Sequence, residues 1–365
     1  MRLCDAGLFL MRNFVLKSLL LTKDRNLEIV DLPTPRVDED EVLILVAACG
    51  ICGSDVHGYD GSSGRRIPPL IMGHEAAGTI AAIGSGVTGF KVGDRVTFDS
   101  TVYCGKCAFC RSGKVNLCDR REVIGVSCAE FRRDGAFAEY IAVPERILYT
   151  LPPQMSFPEA AMVEAVSVAL HAVGLSGVTG GETAVVIGAG MIGLLAMQAA
   201  RAAGCARVLI ADIDETRLSL ARSLGADAVI HGSGSDLTHE IHELTGGVGA
   251  DLALEAVGRA ESVAAAIDAV RKGGTVTLIG NITPTISFPL QNVVSREIRV
   301  LGSAASAGEY PQAIELVASG RIQVKPLITA VAPLEDGPTW FDRLYGREPN
   351  LTKIVLTATA TEPLR

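Results

Sequence analysis

The stretch Thr183–Ala200, TAVVIGAGMIGLLAMQAA, is eighteen residues without a charge, close to the length an apolar helix needs to cross a bilayer. Its glycines decide against that reading. A run of β-forming residues, TAVVI, is followed by Gly188, Gly190 and Gly193 and then by a helix-forming run. This is the strand, tight turn, helix order of a buried βα unit. The first glycine permits the turn, the second lets the backbone approach a pyrophosphate, and the third lets helix and strand pack closely. Met191 and Ile192 then lie at the helix N-terminus, whose dipole favours negative charge.

Asp212 ends the next apolar run, nineteen residues beyond Gly193, where a carboxylate can accept hydrogen bonds from an adenosine ribose. The same carboxylate would repel a 2′-phosphate, so the pattern favours NAD over NADP. Arg217, five residues on, is placed to stack on adenine.

Working outward, six apolar β runs follow one another with helical segments between them: TAVVIG, ARVLIAD, DAVIH, ADLALEA, GTVTLIG and IRVLGS. They predict an α/β domain with a doubly wound, parallel, six-stranded sheet. Before them, from about Leu16 to Val143, the chain is Gly-rich with short β runs such as EVLILVAACG and AAGTIAAIG, a β-rich domain. The tail from Ala304 returns to β patterns without another βα unit. We therefore expect a β-rich domain over residues 1–165 and 304–365, with a cysteine lobe at 100–120, and a dinucleotide-binding domain over 166–303. A chain of 365 residues is long enough for both cores.

With 33 Lys+Arg against 41 Asp+Glu, a formal charge of −8, and no basic run with interleaved aromatics, nucleic acid and anionic membranes are poor partners. The opening residues are apolar but broken by Asp5, Arg12, Asn13 and Lys17; they read as an upstream extension without an export signal. A reducing cytoplasm is the expected compartment, where clustered cysteines hold metal in preference to forming disulfides.

Four of the nine cysteines, Cys104, Cys107, Cys110 and Cys118, fall within fifteen residues. Their spacing suits a closed tetrahedral zinc site of structural type. A second group, Cys52, Asp55, His57, His74 and Glu75 in CGICGSDVH and GHEAAG, mixes N, S and O donors. Such a set can leave a coordination position open for water or an alcohol. Cys49 reads as a small buried hydrophobe.

These motifs, with GAFAEYIAVP, EAVSVALHAV and KIVL, make the chain resemble the zinc-containing medium-chain dehydrogenase/reductase family, nearest its sorbitol (polyol) dehydrogenase branch, from about Leu16 to Ala358. The resemblance implies a GroES-like catalytic domain built from both chain ends, an inserted Rossmann domain, and an active site in the cleft between them. It implies two zinc ions per chain and NAD. Cys52, His74 and Glu75 match the catalytic zinc ligands, with Glu164 ligating directly or holding the zinc-bound water. Asp55 matches the carboxylate that orients the ligand histidine, and Ser54 and His57 match the proton relay. Ala165 and Val166 follow Glu164 where the branch usually reads Pro-Leu.

The implied reaction is hydride transfer from a secondary alcohol of a sorbitol-, xylitol- or iditol-like polyol to NAD. Polyol phosphates, butanediol and threonine are rival substrates, and a catalytically silent dinucleotide-binding relative is the reading of another class. Arg65 and Arg66 are either a solvated pair or face an anionic group, and Arg296, beside Glu297, stands where the branch has a substrate-contacting arginine. The resemblance also implies a homodimer or homotetramer paired through the last Rossmann strand.

Overall fold

The computed structural model describes residues 15–128 and 131–358; the reading of the opening dozen residues lies outside them. All six apolar runs form strands of one parallel sheet: β1 (Thr183–Ile187), β2 (Arg207–Asp212), β3 (Ala228–His231), β4 (Ala250–Glu255), β5 (Val270–Leu278) and β6 (Arg299–Gly302). Their order is 3-2-1-4-5-6, so the turn after β1 sits where the strand order reverses, the place at which such sheets take ligands. The uncharged stretch at 183–200 is β1, a turn and the helix Met191–Ala202. Leu194, Leu195 and Met197 of that helix are buried, each contributing roughly 1.5–3 kcal/mol. β5 begins at Val270, ahead of the apolar run that announced it, because the helix Ala260–Ala269 passes directly into the strand.

A second, seven-stranded sheet is built mostly from the N-terminal half. Its path runs Leu148–Thr150, Arg95–Phe98, Glu75–Ile83, Glu41–Gly50, Lys353–Thr357 and Ile328–Pro333, with Tyr140–Pro144 also paired to Glu41–Gly50. The last two strands come from the tail, as its β pattern suggested. From the start of the β-rich region, Val15–Lys23 pairs antiparallel with Asn26–Pro33. This sheet has its own core, including Leu19, Leu43, Ile44, Phe98, Phe137, Phe341 and Leu356.

The helix Val163–Leu175 carries the chain toward the parallel sheet, and the return runs after β6 to the helix Tyr310–Ala318. Both helices pack into one core with Met191–Ala202. Asn116 of the cysteine lobe donates to the Ala304 carbonyl at 2.7 Å, and His171 meets Glu309 at 2.7 Å. The run Phe157–Leu175 passes a length-and-hydropathy test for a membrane span, but 61 % of it is buried inside the protein.

Candidate active site

The site is assembled where strands of the seven-stranded sheet end. Gly50 pairs with Glu75 on one side and with Val355 on the other, so Cys52, Glu75 and Lys353 converge from three segments. Gly50 is needed there, since a Cβ would lie 2.3 Å from Glu75 Oε2. Cys52 caps the short helix Gly53–Gly58, its Sγ accepting the Ser54 N–H at 3.5 Å.

Donor atoms of Cys52, His74 and Glu75 all lie within 4.8 Å of one another. Among the described residues, Glu75 Oε1 is buried without a hydrogen-bond partner, and so is His74 Nδ1. Nδ1 is 3.4 Å from Asp55 Oδ1, a contact too poorly aligned for a full hydrogen bond and electrostatic in character. One thiol, one imidazole and one carboxylate with an unpartnered oxygen fit a zinc ion with a position open to substrate. Burial opposes the charge on Asp55, but His74 and Arg66 together outweigh it and hold the carboxyl well below the usual range.

Glu164 lies outside that triad. It stands in the first turn of its helix, with Oε1 3.4 Å from Ser100 Oγ. Burial, reinforced by Glu75 and Asp99 against the opposing charge of His74, pushes its carboxyl up to about 7. Ser54 and His57 are exposed and sit three residues apart on Gly53–Gly58, hence on one face. Cys49 is buried, and burial pushes its thiol up, in keeping with a packing role.

Two arginine expectations change. Arg66 is not half of a solvated pair: it is 4 % exposed and bonded to Asp55, because the adjoining buried carboxylate demands a counter-charge, while Arg65 is exposed. Arg296, expected to contact substrate, is engaged within the chain itself. Its guanidinium donates to the Ile267 and Val270 carbonyls, satisfying backbone groups where the helix Ala260–Ala269 ends, and Glu297 is exposed beside it.

Residue reasoning also missed Lys353. It is 1 % exposed, and its Nζ donates to Glu75 Oε2 at 2.5 Å and to the Ile51 carbonyl at 3.0 Å. A lysine opening the apolar run KIVL was the available signal. Asp99 was missed as well: buried, accepting the Thr101 N–H at 2.8 Å, it is pushed up to about 6 by burial.

At the dinucleotide turn, Gly188 has φ +100°, and a Cβ on Gly193 would lie 1.8 Å from the Gly188 carbonyl oxygen. A Cβ on Gly190 would meet nothing within 4 Å, so room is left over the helix end formed by Met191 and Ile192. Asp212 is fixed by the N–H groups of Ala189 (2.6 Å) and Asp214 (2.9 Å), and exposed Arg217 stands 3.9 Å from it. The turn fits a pyrophosphate and the carboxylate an adenosine ribose.

The donor atoms of Cys104, Cys107, Cys110 and Cys118 also lie within 4.8 Å of one another. Backbone N–H groups of Cys104, Lys106, Cys110 and Arg120 point at the sulfurs. Those of Lys106 and Cys107 hold the Cys104 thiol down to about 6, whereas burial and neighbouring thiols push Cys110 up. Four crowded sulfurs ionise together only around a cation, and this set fits tetrahedral Zn²⁺ with no position left for substrate.

Residues 38–153 match the alcohol dehydrogenase GroES-like domain and residues 192–319 the zinc-binding dehydrogenase domain. The chain is 36 % identical over 324 residues to the sorbitol dehydrogenase of Bacillus subtilis, covering 88 % of this chain and 91 % of that one. It belongs to the zinc-containing medium-chain dehydrogenase/reductase family. It is also 38 % identical over 320 residues to D-xylulose reductase A of Aspergillus oryzae, covering 85 % and 88 %. Among solved structures, an Escherichia coli oxidoreductase/dehydrogenase of unknown specificity superposes with a TM-score of 0.90 at 33 % identity, covering 95 % of this chain and all of that one. The family's zinc and nicotinamide dinucleotide agree with the donor sets and the glycine turn.

Proposed function

We propose that the chain oxidises a secondary alcohol of a free polyol of the sorbitol, xylitol or iditol kind, with NAD as hydride acceptor, in the cytoplasm. The observation that carries this reading is the mixed triad of Cys52, His74 and Glu75, flanked by Ser54 and His57 on one helix face and standing in the same chain as the glycine turn. Its polyol dehydrogenase relatives support the substrate class. Residues 1–165 and 304–365 form the catalytic half and 166–303 the cofactor half in this reading.

When bound, zinc supplies a Lewis acid for the alcohol oxygen and the nicotinamide a hydride acceptor. Cys52, His74 and Glu75 would hold the metal, with Glu164 behind them. The Ser54 hydroxyl takes the alcohol proton, and exposed His57 on the same face delivers it to solvent. Gly188, Gly190, Met191, Ile192 and Gly193 seat the pyrophosphate, Asp212 the ribose and Arg217 the adenine. A free polyol is favoured over its phosphate because Arg66 is already committed to Asp55, Ser54 and the Arg65 carbonyl.

The test is NADH formation by zinc-replete protein with sorbitol, xylitol, galactitol 1-phosphate, butanediol and threonine, with NADP in parallel. Turnover is expected with free polyols and NAD. Because a 2′-phosphate would meet Asp212, NADP is expected to be poorer by roughly a hundredfold. Turnover confined to the phosphate, or to threonine, would overturn the substrate; silence across the panel by protein holding both metals would favour a silent relative.

We also infer a homodimer, or a tetramer built from it, through β6. Among the described residues that strand is paired on one side only, and Leu290 and Val294 on the helix before it are 63 % and 67 % exposed. An open edge beside an apolar patch is a surface that proteins cover. Light scattering should give at least twice the chain mass, and Val294→Asp should lower it; a monomeric wild type at micromolar concentration would sink this inference.

A further inference from the structure

The roles above give Asp55 one task, orienting His74, and leave Arg66 with none. Yet the guanidinium is among the most committed groups in the protein. Nε and Nη2 both donate to Asp55 Oδ1, at 3.1 and 2.8 Å; Nη2 donates also to Ser54 Oγ at 3.1 Å, and Nη1 to the Arg65 carbonyl at 3.2 Å. Asp55 Oδ2 accepts the backbone N–H of Cys52 at 3.2 Å, while Oδ1 faces His74. One carboxylate therefore touches two members of the donor triad, and one guanidinium joins that carboxylate to the relay hydroxyl. The fold makes room for this arginine: a Cβ on Gly58 would lie 2.3 Å from Arg66 Cγ.

We propose that Arg66 is a positioning residue that holds Asp55, and through it Cys52 and His74, in one frame with Ser54. The inference rests on reading Cys52, His74 and Glu75 as the metal site. Two physical consequences follow from the geometry. A carboxylate clamped by a guanidinium cannot rotate away from His74, so the imidazole direction is set before metal arrives. Finally, a hydroxyl whose lone pair already accepts from Arg66 has its remaining acceptor and its own proton directed elsewhere, which orders Ser54 for proton transfer. Lysine cannot substitute, since an ammonium lacks the planar fork that reaches Asp55 and Ser54 together.

The experiment uses full-length protein loaded with Co²⁺, whose visible absorption reports ligand geometry. Difference spectra against wild type remove the contribution shared by the four-cysteine site. Arg66→Lys keeps the charge but loses the fork, Gly58→Ala displaces the arginine without altering it, and Arg65→Ala is the exposed control. Folding of each is checked by circular dichroism.

Arg66→Lys and Gly58→Ala are expected to fold, to show altered cobalt bands, and to lose one metal per chain to a chelator about 10–100-fold faster. Their kcat should fall by a similar factor with the KM for NAD unchanged. Arg65→Ala should match wild type in every respect. Wild-type cobalt bands and chelator resistance in both site variants would overturn the proposal, as would an activity loss that only tracks the unfolded fraction. The cobalt and chelator readings need no substrate, so an inactive wild type would sink the polyol reading without touching this one.

Discussion

Replacing Cys52 with alanine is expected to remove one of two metal ions per chain and to lower polyol turnover by on the order of a thousandfold, corresponding to about 4 kcal/mol of transition-state stabilisation. The expectation follows from the small number of donors. Cys52, His74 and Glu75 are the members of their cluster, and Glu164, held off toward Ser100, is not placed to replace a lost thiolate. The substitution should leave the fold intact, because the Cys52 side chain caps a helix of only six residues at 3.5 Å and the Asp55 bond to the Cys52 backbone survives. Dinucleotide binding, at the turn after β1, should also survive. Elemental analysis and steady-state kinetics together decide the matter: a variant that keeps both metals and wild-type turnover would mean that the triad is not the catalytic metal site.

The second large effect is on stability. Lys353→Met is expected to destabilise the metal-free protein by about 3–5 kcal/mol, the usual consequence of removing one partner from a buried ion pair. Lys353 and Glu75 are 1 % and 0 % exposed, and the ammonium is what compensates Glu75 Oε2 while Oε1 has no partner. Burial disfavours the lysine charge, but Glu75 and Cys52 more than restore it and raise its pKa. With zinc bound, the cation would share the compensation, so the same substitution should cost much less in the loaded protein. Urea unfolding with and without metal measures both values. A difference of less than about 1 kcal/mol between wild type and variant in the metal-free state would show that the pair is energetically idle.

The contrast between these two sites shows what kind of information the chain carries locally. The turn Gly188–Gly193 and the cluster Cys104–Cys118 are legible because each is complete within a few residues, so spacing alone determines which atoms can meet. Cys52, His74 and Glu75 come from two segments and were singled out from a wider set of donors by the family resemblance; their convergence depends on the pairing of Gly50 with Glu75. For Arg296, position in a motif does not say which way a side chain turns, and carbonyls at a helix end engage its guanidinium.

The amino-acid sequence by itself determined the two-sheet architecture, the dinucleotide turn, both cysteine-containing donor sets and the family. Hydrophobic period, glycine placement and cysteine spacing act over distances shorter than one βα unit, and the resemblance of the motifs carried the family and the choice of catalytic donors. Only the tertiary structure decided the charge environment of the site. Lys353 is 278 residues from Glu75 and reaches it through the tail strand that pairs beside Gly50, and Arg66 is buried because Asp55 needs a counter-charge and Gly58 leaves it space. A buried charge finds its partner through long-range register and packing, and no local pattern of residues encodes that choice.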